Sequence, residues 1–272
     1  MSENNKYCVI IYLEGFHPVE IGQKISDCEF GFEQENKKYF ISTIVSAENN
    51  EQALCKGELR LNQVLNVITL QTGVSYSKYG VHYNQISGQK PFIFSSIVNL
   101  ERTVYLPLKK QKIEEITESV ELLDNLPNQE RSTKITDRAI NYFVRGCNLE
   151  TEWRSESFLN FYKTIELITN QFLKAFDAEI NNQLKDTILR SITDKELREL
   201  RTPTRLIQFT CQQLGINLSC NISNILNLRN RFSAHARLKE VEVSDEDLWD
   251  CKSLAARTIL WYEKYLKDQT RT

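Results

Sequence analysis

The chain has 272 residues, a formal net charge of −2 and an isoelectric point near 6.1. Its 41% hydrophobic and 26% charged content excludes collagen-like, low-complexity and broadly disordered chains and leaves one large domain or two small ones. The near-neutral balance excludes a protein that coats nucleic acid by bulk charge, but not one with a local basic site.

Cys8, Cys28, Cys55, Cys147, Cys211, Cys220 and Cys251 make an odd count with no C-x-x-C pair, and three histidines add little. Zinc-ligand spacing is absent, so the expectation is reduced, mostly buried thiols, with no metal and no cofactor. The opening MSENNKYCVIIYLEGF has an apolar run too short for a secretory segment and no basic stretch before it. No run approaches the length of a membrane span. A cytoplasmic protein with no membrane partner is expected.

In chain order, 7–16 is a β-rich run closed by Gly15 and Pro18, and 37–47 alternates through Tyr39, Ile41, Thr43 and Val45. Leu54, Leu61, Leu65 and Ile68 then recur at helical spacing, with Gly73 placed to cap the helix C-terminus. Segments 90–100 and 103–108 read as further strands. His17 falls in a turn and His82 on a strand, both structural. The stretch 1–109 is thus a small α/β unit of unassigned role.

From residue 110 onward the patterns are helical. QKIEEITESVELLDNL is amphipathic and stops before Pro127, 126–134 is a loop, and ITDRAINYFVRGCN is a helix with Gly146 near its end. The strongest stripe follows: Phe158, Phe161, Ile165, Ile168, Phe172 and Phe176, with Asn160, Lys163 and Asn170 away from it and Glu166 at its edge. Two shorter helices flank Pro203, and Gly215 punctuates. Asn217 or Ser219 caps a helix running into Arg231. Ser244 and Asp247 form a variant capping box for the last helix, whose stripe is Leu248, Cys251, Ala255, Ile259, Tyr262 and Leu266. The expected fold class is α+β: the 1–109 unit followed by an all-α bundle over 110–272.

Between Glu199 and Glu240 no acid occurs, while Arg201, Arg205, Arg229, Arg231, Arg237 and Lys239 do. Within this window lies LNLRNRFSAHARLK, carrying Arg229, Asn230, Arg231 and His235. Uncompensated cations near one helix suit an anionic ligand, unless acids from other helices cover them.

An Arg, a polar residue directly after it, a short spacer and a His near the end of a bundle helix resemble the signature of the HEPN superfamily. FLNFYKTIELIT also looks like the long helix of its stand-alone bacterial type with an N-terminal α/β extension. The resemblance covers about residues 110–272. Many members carry a Glu with Lys or Arg four residues later; here Glu166 is followed by Asn170. The resemblance implies a HEPN-like bundle and a metal-independent endoribonuclease in bacterial (antiviral, phage) defence or toxin–antitoxin growth control. It also implies an antitoxin or phage-derived protein as a possible partner. Arg229, Asn230 and His235 would be catalytic, Arg231 a phosphate contact, and Tyr162 and Glu166 substrate-side candidates.

The chemistry is consistent with those residue types. A ribose 2′-OH attacks the adjacent phosphate; imidazole near neutral pKa can take the proton from it or give one to the leaving 5′-oxygen. A guanidinium grips non-bridging oxygens as charge gathers on them, and Asn230 can orient the imidazole or a phosphate oxygen. One chain offers one suitable His, so a homodimer sharing a cleft over the RNA substrate is expected. On a straight helix, residues six apart diverge by about 120°, whereas Arg231 and His235 share a face. Either arginine can therefore be the main phosphate contact. Competing readings are a non-catalytic binding and dimerisation module, and a HEPN partner of a nucleotidyltransferase that modifies the motif itself.

Overall fold

A computed structural model describes residues 5–14, 19, 21–33, 38–85, 109–125, 130–183, 202–216, 222–234 and 241–269. The chain divides into two compact units, Met1–Asp124 and Asn125–Thr272.

The first unit is built on an antiparallel sheet of order β2-β3-β4-β1-β5, from β1 (Asn5–Glu14), β2 (Lys24–Ile25), β3 (Cys28–Glu33), β4 (Lys38–Ala47) and β5 (Ser77–Gln85). β1 lies between two partners and its Val9–Leu13 run is continuously buried, which explains an apolar stretch without alternation. Helix α1 (Asn50–Thr72) starts at Asn49, whose side chain accepts from the Gln52 N–H, and ends at Gly73, whose N–H donates to Thr69 O at 2.7 Å. Its buried stripe is Ala53, Gly57, Leu61, Val64, Leu65 and Ile68; Leu54, assigned to that stripe from spacing, is only half-buried. Gly57 is where α1 comes closest to β1, since any Cβ there would overlap the Val9 side chain. The β2–β3 hairpin was not expected: Glu29, Gly31 and Glu33 interrupt the apolar signal of Phe30 and Phe32.

Helix α2 (Lys110–Asn125) belongs to this unit, not to the bundle. Ile113, Ile116, Val120 and Leu123 are its buried face. Lys112 Nζ donates to Gln71 Oε1 at 2.6 Å, and Asp124 accepts from Arg60 at 2.7 Å. The division therefore falls after Asp124, inside the 105–130 span where the change of pattern places a boundary, with α2 on the first unit's side of it. An amphipathic stripe records that a helix covers a core, not which core. Residues 86–108, with both expected strands, lie outside the described residues, as does His17.

The second unit is helical: α3 (Glu130–Leu149), α4 (Arg154–Gln183), α5 (Pro203–Gln213), α6 (Ile222–Ala234) and α7 (Asp245–Gln269). α3 begins at Glu130, inside the stretch expected to be a loop. α3 and α4 pack as a pair. Gly146 lets them approach, because a Cβ there would come within 2.5 Å of the Phe161 ring. The Ser157 hydroxyl donates to Gly146 O at 2.8 Å, and the Thr164 hydroxyl is shared between Asn160 O of its own helix at 3.1 Å and Ala139 O at 3.2 Å. Phe158, Phe161, Ile165, Ile168 and Phe172 are all buried, as the stripe predicts. Asn160 is buried too, its amide donating to Glu156 O at 2.8 Å. Pro203 opens α5, Gly215 turns out of it at φ 68°, and the Ser244 hydroxyl accepts from the Asp247 N–H at 3.1 Å to start α7. The helix expected before Pro203 and the expected caps Asn217 and Ser219 lie outside the described residues. The protein is α+β, and among the described residues no helix is long and apolar enough to cross a membrane.

Candidate active site

Helix α6 is anchored by its apolar side. Ile222, Ile225, Leu226 and Leu228 are buried, and Phe232 meets the buried Phe158 of α4 with ring centroids 5.7 Å apart. Cys251 of α7 closes the same region, its thiol lying 3.8 Å from Phe158 O. Arg229 falls on that same side, four residues after Ile225 and three before Phe232, so the anchoring carries it against α4.

Arg229 reaches α4. Its guanidinium carbon lies 5.7 Å from the centre of the Tyr162 ring, and Nη2 is 3.8 Å from Glu166 Oε1. Nη1 donates to Asn230 Oδ1 at 3.3 Å. Tyr162 and Glu166 are one helical turn apart, so a single arginine can address both. Arg229, Asn230, Tyr162 and Glu166 are therefore brought together across two helices. Arg231 is exposed in the last turn of α6. His235, Arg237 and Lys239 lie outside the described residues, as does Arg201; Arg205 is exposed on α5.

The Arg229–Glu166 ion pair is long and partly open to solvent. The Arg229 side chain is 36% exposed and Glu166 is 43% exposed. An ion pair of that exposure and length contributes about 0–1 kcal/mol, little enough for a phosphate to displace the carboxylate. The face of Tyr162 adds a cation–π contact. Tyr162 itself is 3% exposed, so it offers the ring beneath the guanidinium, not an open hydroxyl. Burial pushes its phenol pKa up, as does Glu166, partly offset by Arg229. The acid-free window is thus not acid-free in space, because Glu166 supplies a carboxylate from another helix.

Cys251 and the Phe158–Phe232 pair position this cluster, and sequence reasoning missed that role; Cys251 stood only as one more member of an apolar stripe. Glu263 of α7 was missed altogether. It is buried with Oε1 unpartnered, and burial, then the charge of Asp137, raises its carboxyl from 4.5 to about 8. The available signal was an acid four residues after Ile259, on the apolar face. Among the described residues, no three His, Cys, Asp or Glu side chains gather as metal ligands would. Cys28, Cys147, Cys211 and Cys251 are buried free thiols, Cys8 is half-buried and Cys55 exposed; Cys220 lies outside the described residues. No family model, curated protein or solved structure matches the chain.

Proposed function

We propose that the second unit is a HEPN-type, metal-independent endoribonuclease acting as a homodimer. The observation that carries this reading is the half-exposed Arg229 guanidinium, held over Tyr162 beside Asn230 and placed six residues before His235. In this reading Arg229 binds the scissile phosphate after exchanging Glu166 for it. Asn230, already bonded to the guanidinium, orients either partner. His235 moves the protons: one copy accepts from the 2′-OH, and the second copy's imidazole protonates the leaving 5′-oxygen. Bacterial defence or growth control is the biological setting this reading carries, with the protein in the cytoplasm and an antitoxin or phage-derived protein as its partner. Arg231, exposed in the last turn, supports phosphate binding.

The test is cleavage of single-stranded RNA by purified protein in EDTA. The expected products end in 2′,3′-cyclic phosphate, and a 2′-deoxy substitution at the cut blocks the reaction. Light scattering should give about twice the 31.8 kDa chain mass; a strict monomer with full activity refutes the shared site. One observation favours a second reading, a non-catalytic binding and dimerisation module: the Glu166 carboxylate already answers Arg229. RNA left intact by wild-type protein, free or with its partner, selects that reading.

A further inference from the structure

Among the described residues of the helical unit, two tryptophans are the most exposed large hydrophobics: Trp153 at 57% and Trp249 at 66%. They are 96 positions apart in sequence, yet ion pairs made by their neighbours join the segments that carry them. Asp245, Trp249 and Lys252 fall at i, i+4 and i+7, one stripe of α7. Both flanking members of that stripe reach the turn between α3 and α4. Asp245 pairs with Arg154 Nη2 at 2.6 Å and Lys252 with Glu150 at 2.5 Å. Trp249 sits between them on the stripe, and Trp153 lies in that turn, next to Arg154. The segment leading into α7 is held to the same spot, where the Ser155 hydroxyl donates to Val241 O at 3.0 Å.

The charge around the indoles has one sign. The local cations Arg154 and Lys252 are already answered by Asp245 and Glu150. Glu152, Glu156, Glu242 and Glu246 remain exposed, with no ion-pair partner among the described residues. Glu156 and Glu246 stand in first helical turns, where the helix dipole favours acids. That does not account for Glu152 and Glu242, which precede their helices, nor for two indoles left in water. A bare aromatic pair is a recognition feature when it is contiguous, because Trp dominates binding hot spots. A carboxylate rim repels phosphate and so argues against stacked nucleotides.

We propose that this end of the helical unit, Trp153 and Trp249 ringed by glutamates, is a docking surface for a basic amphipathic segment of a partner protein. Apolar side chains of the partner cover the indoles. Its Lys or Arg side chains reach the glutamates and the aromatic faces. The inference does not depend on nuclease activity, since it uses none of Arg229, Asn230 or His235.

The test uses the full chain and a short synthetic peptide alternating Lys with Leu, titrated by calorimetry and by indole fluorescence. Controls are a Lys–Ser peptide, a Glu–Leu peptide and oligouridylate. The expected result is saturable one-to-one binding of the Lys–Leu peptide with a blue-shifted emission. The Trp153→Ala/Trp249→Ala variant keeps every charge and should bind about 30-fold more weakly or worse, with unchanged circular dichroism. Equal binding of the Lys–Ser peptide, or undiminished binding by the variant, reduces the surface to bulk charge and overturns the proposal. So does no binding of the Lys–Leu peptide, or oligouridylate binding that the variant loses. A dimer that the variant converts to monomer assigns the surface to a second copy of this chain instead.

Discussion

Arg60 in the first unit and Arg229 in the second are two arginines used in opposite ways. Arg60 is 16% exposed and its donors are taken up: Nε and Nη1 reach Asp27 and Asp124 at 2.7 Å each, Nη1 also reaches Gln63 at 3.0 Å, and Nη2 reaches Ser26 at 2.8 Å. These bonds tie the β2–β3 turn, where Ser26 sits at φ 55°, and the end of α2 to α1. Burial alone would raise the Asp27 carboxyl, but the Arg60 hydrogen bond and charge outweigh it and hold the pKa below the usual value. Arg229 is 36% exposed and meets the Glu166 carboxylate at 3.8 Å, the face of Tyr162 and its own sequence neighbour Asn230. A buried, multiply bonded guanidinium holds a fold together, whereas one whose carboxylate pair is long and partly exposed can exchange that carboxylate for a ligand. The same contrast holds for acids: Asp27 and Asp124 are paired, while Glu263 is buried with its Oε1 unpartnered.

The sharpest way to break this comparison is to remove each arginine and measure both activity and stability. Arg229→Ala should lower RNA cleavage by ~10²–10³-fold, the loss typical of one transition-state donor, with an unfolding free energy within about 0.5 kcal/mol of wild type. His235→Ala should lose ~10²–10⁴-fold as a missing general acid or base. If Arg229→Ala instead unfolds the unit while His235→Ala cuts normally, Arg229 is structural and the contrast fails.

Glu263 extends the comparison to pH. Its folded pKa of about 8 lies above the unfolded 4.5. For an acid shifted upward, the unfolded chain loses its proton first. Stability is therefore highest below about 4.5, declines as pH rises toward 8, and is flat beyond. The span is on the order of 5 kcal/mol. Asp27, shifted downward, acts in reverse: its contribution is complete above its unfolded pKa and is lost as pH falls through the folded one. Hydrogen exchange at pH 6 and 9 should show the helical unit, not the sheet unit, loosening at the higher pH. Glu263→Gln should flatten that response; an unchanged slope would falsify the assignment to Glu263.

Arg60→Ala should cost about 2–3 kcal/mol, the usual scale for hydrogen bonds to charged groups, read as a lower denaturation midpoint. RNA cleavage per folded molecule should not change. The smallest effect belongs to Glu166→Gln. If Glu166 only shields Arg229, RNA affinity should tighten by ~2–5-fold, the range an exposed ion pair covers. A fall in cleavage without a change in affinity makes Glu166 a participant in proton transfer.

The sequence showed the stripes that build the helical unit because Phe158, Phe161, Ile165 and Ile168 repeat with the period of the helix they occupy. It showed Gly73 and Ser244 because caps are local chemistry. It could not assign α2, since Ile113, Ile116, Val120 and Leu123 would cover either core equally well, nor the β2–β3 hairpin, whose stability rests on Arg60 from a later helix. For the site, Tyr162 and Glu166 could be picked out by type and spacing, and Arg229 by its resemblance to a family signature, since spacing alone favoured Arg231. That one guanidinium spans the ring and the carboxylate is a long-range fact, which no spacing within either helix encodes. Glu263 was hidden for the opposite reason, because a charged letter in an apolar stripe is ordinarily assumed to point outward.

The two hydroxyl bonds between α3 and α4 index one helix against the other. Ser157 and Thr164 are one heptad apart, and so are their acceptors Gly146 and Ala139. Two stitches at equal intervals work like the teeth of a rack: the helices can mesh in this register, but a slip of one residue disengages both. A slip of a full turn would carry α4 about 5.4 Å along its axis and take Tyr162 and Glu166 out from beneath Arg229. The height of the site's floor is thus set by Gly146 and Ala139, on a helix that supplies none of the clustered side chains.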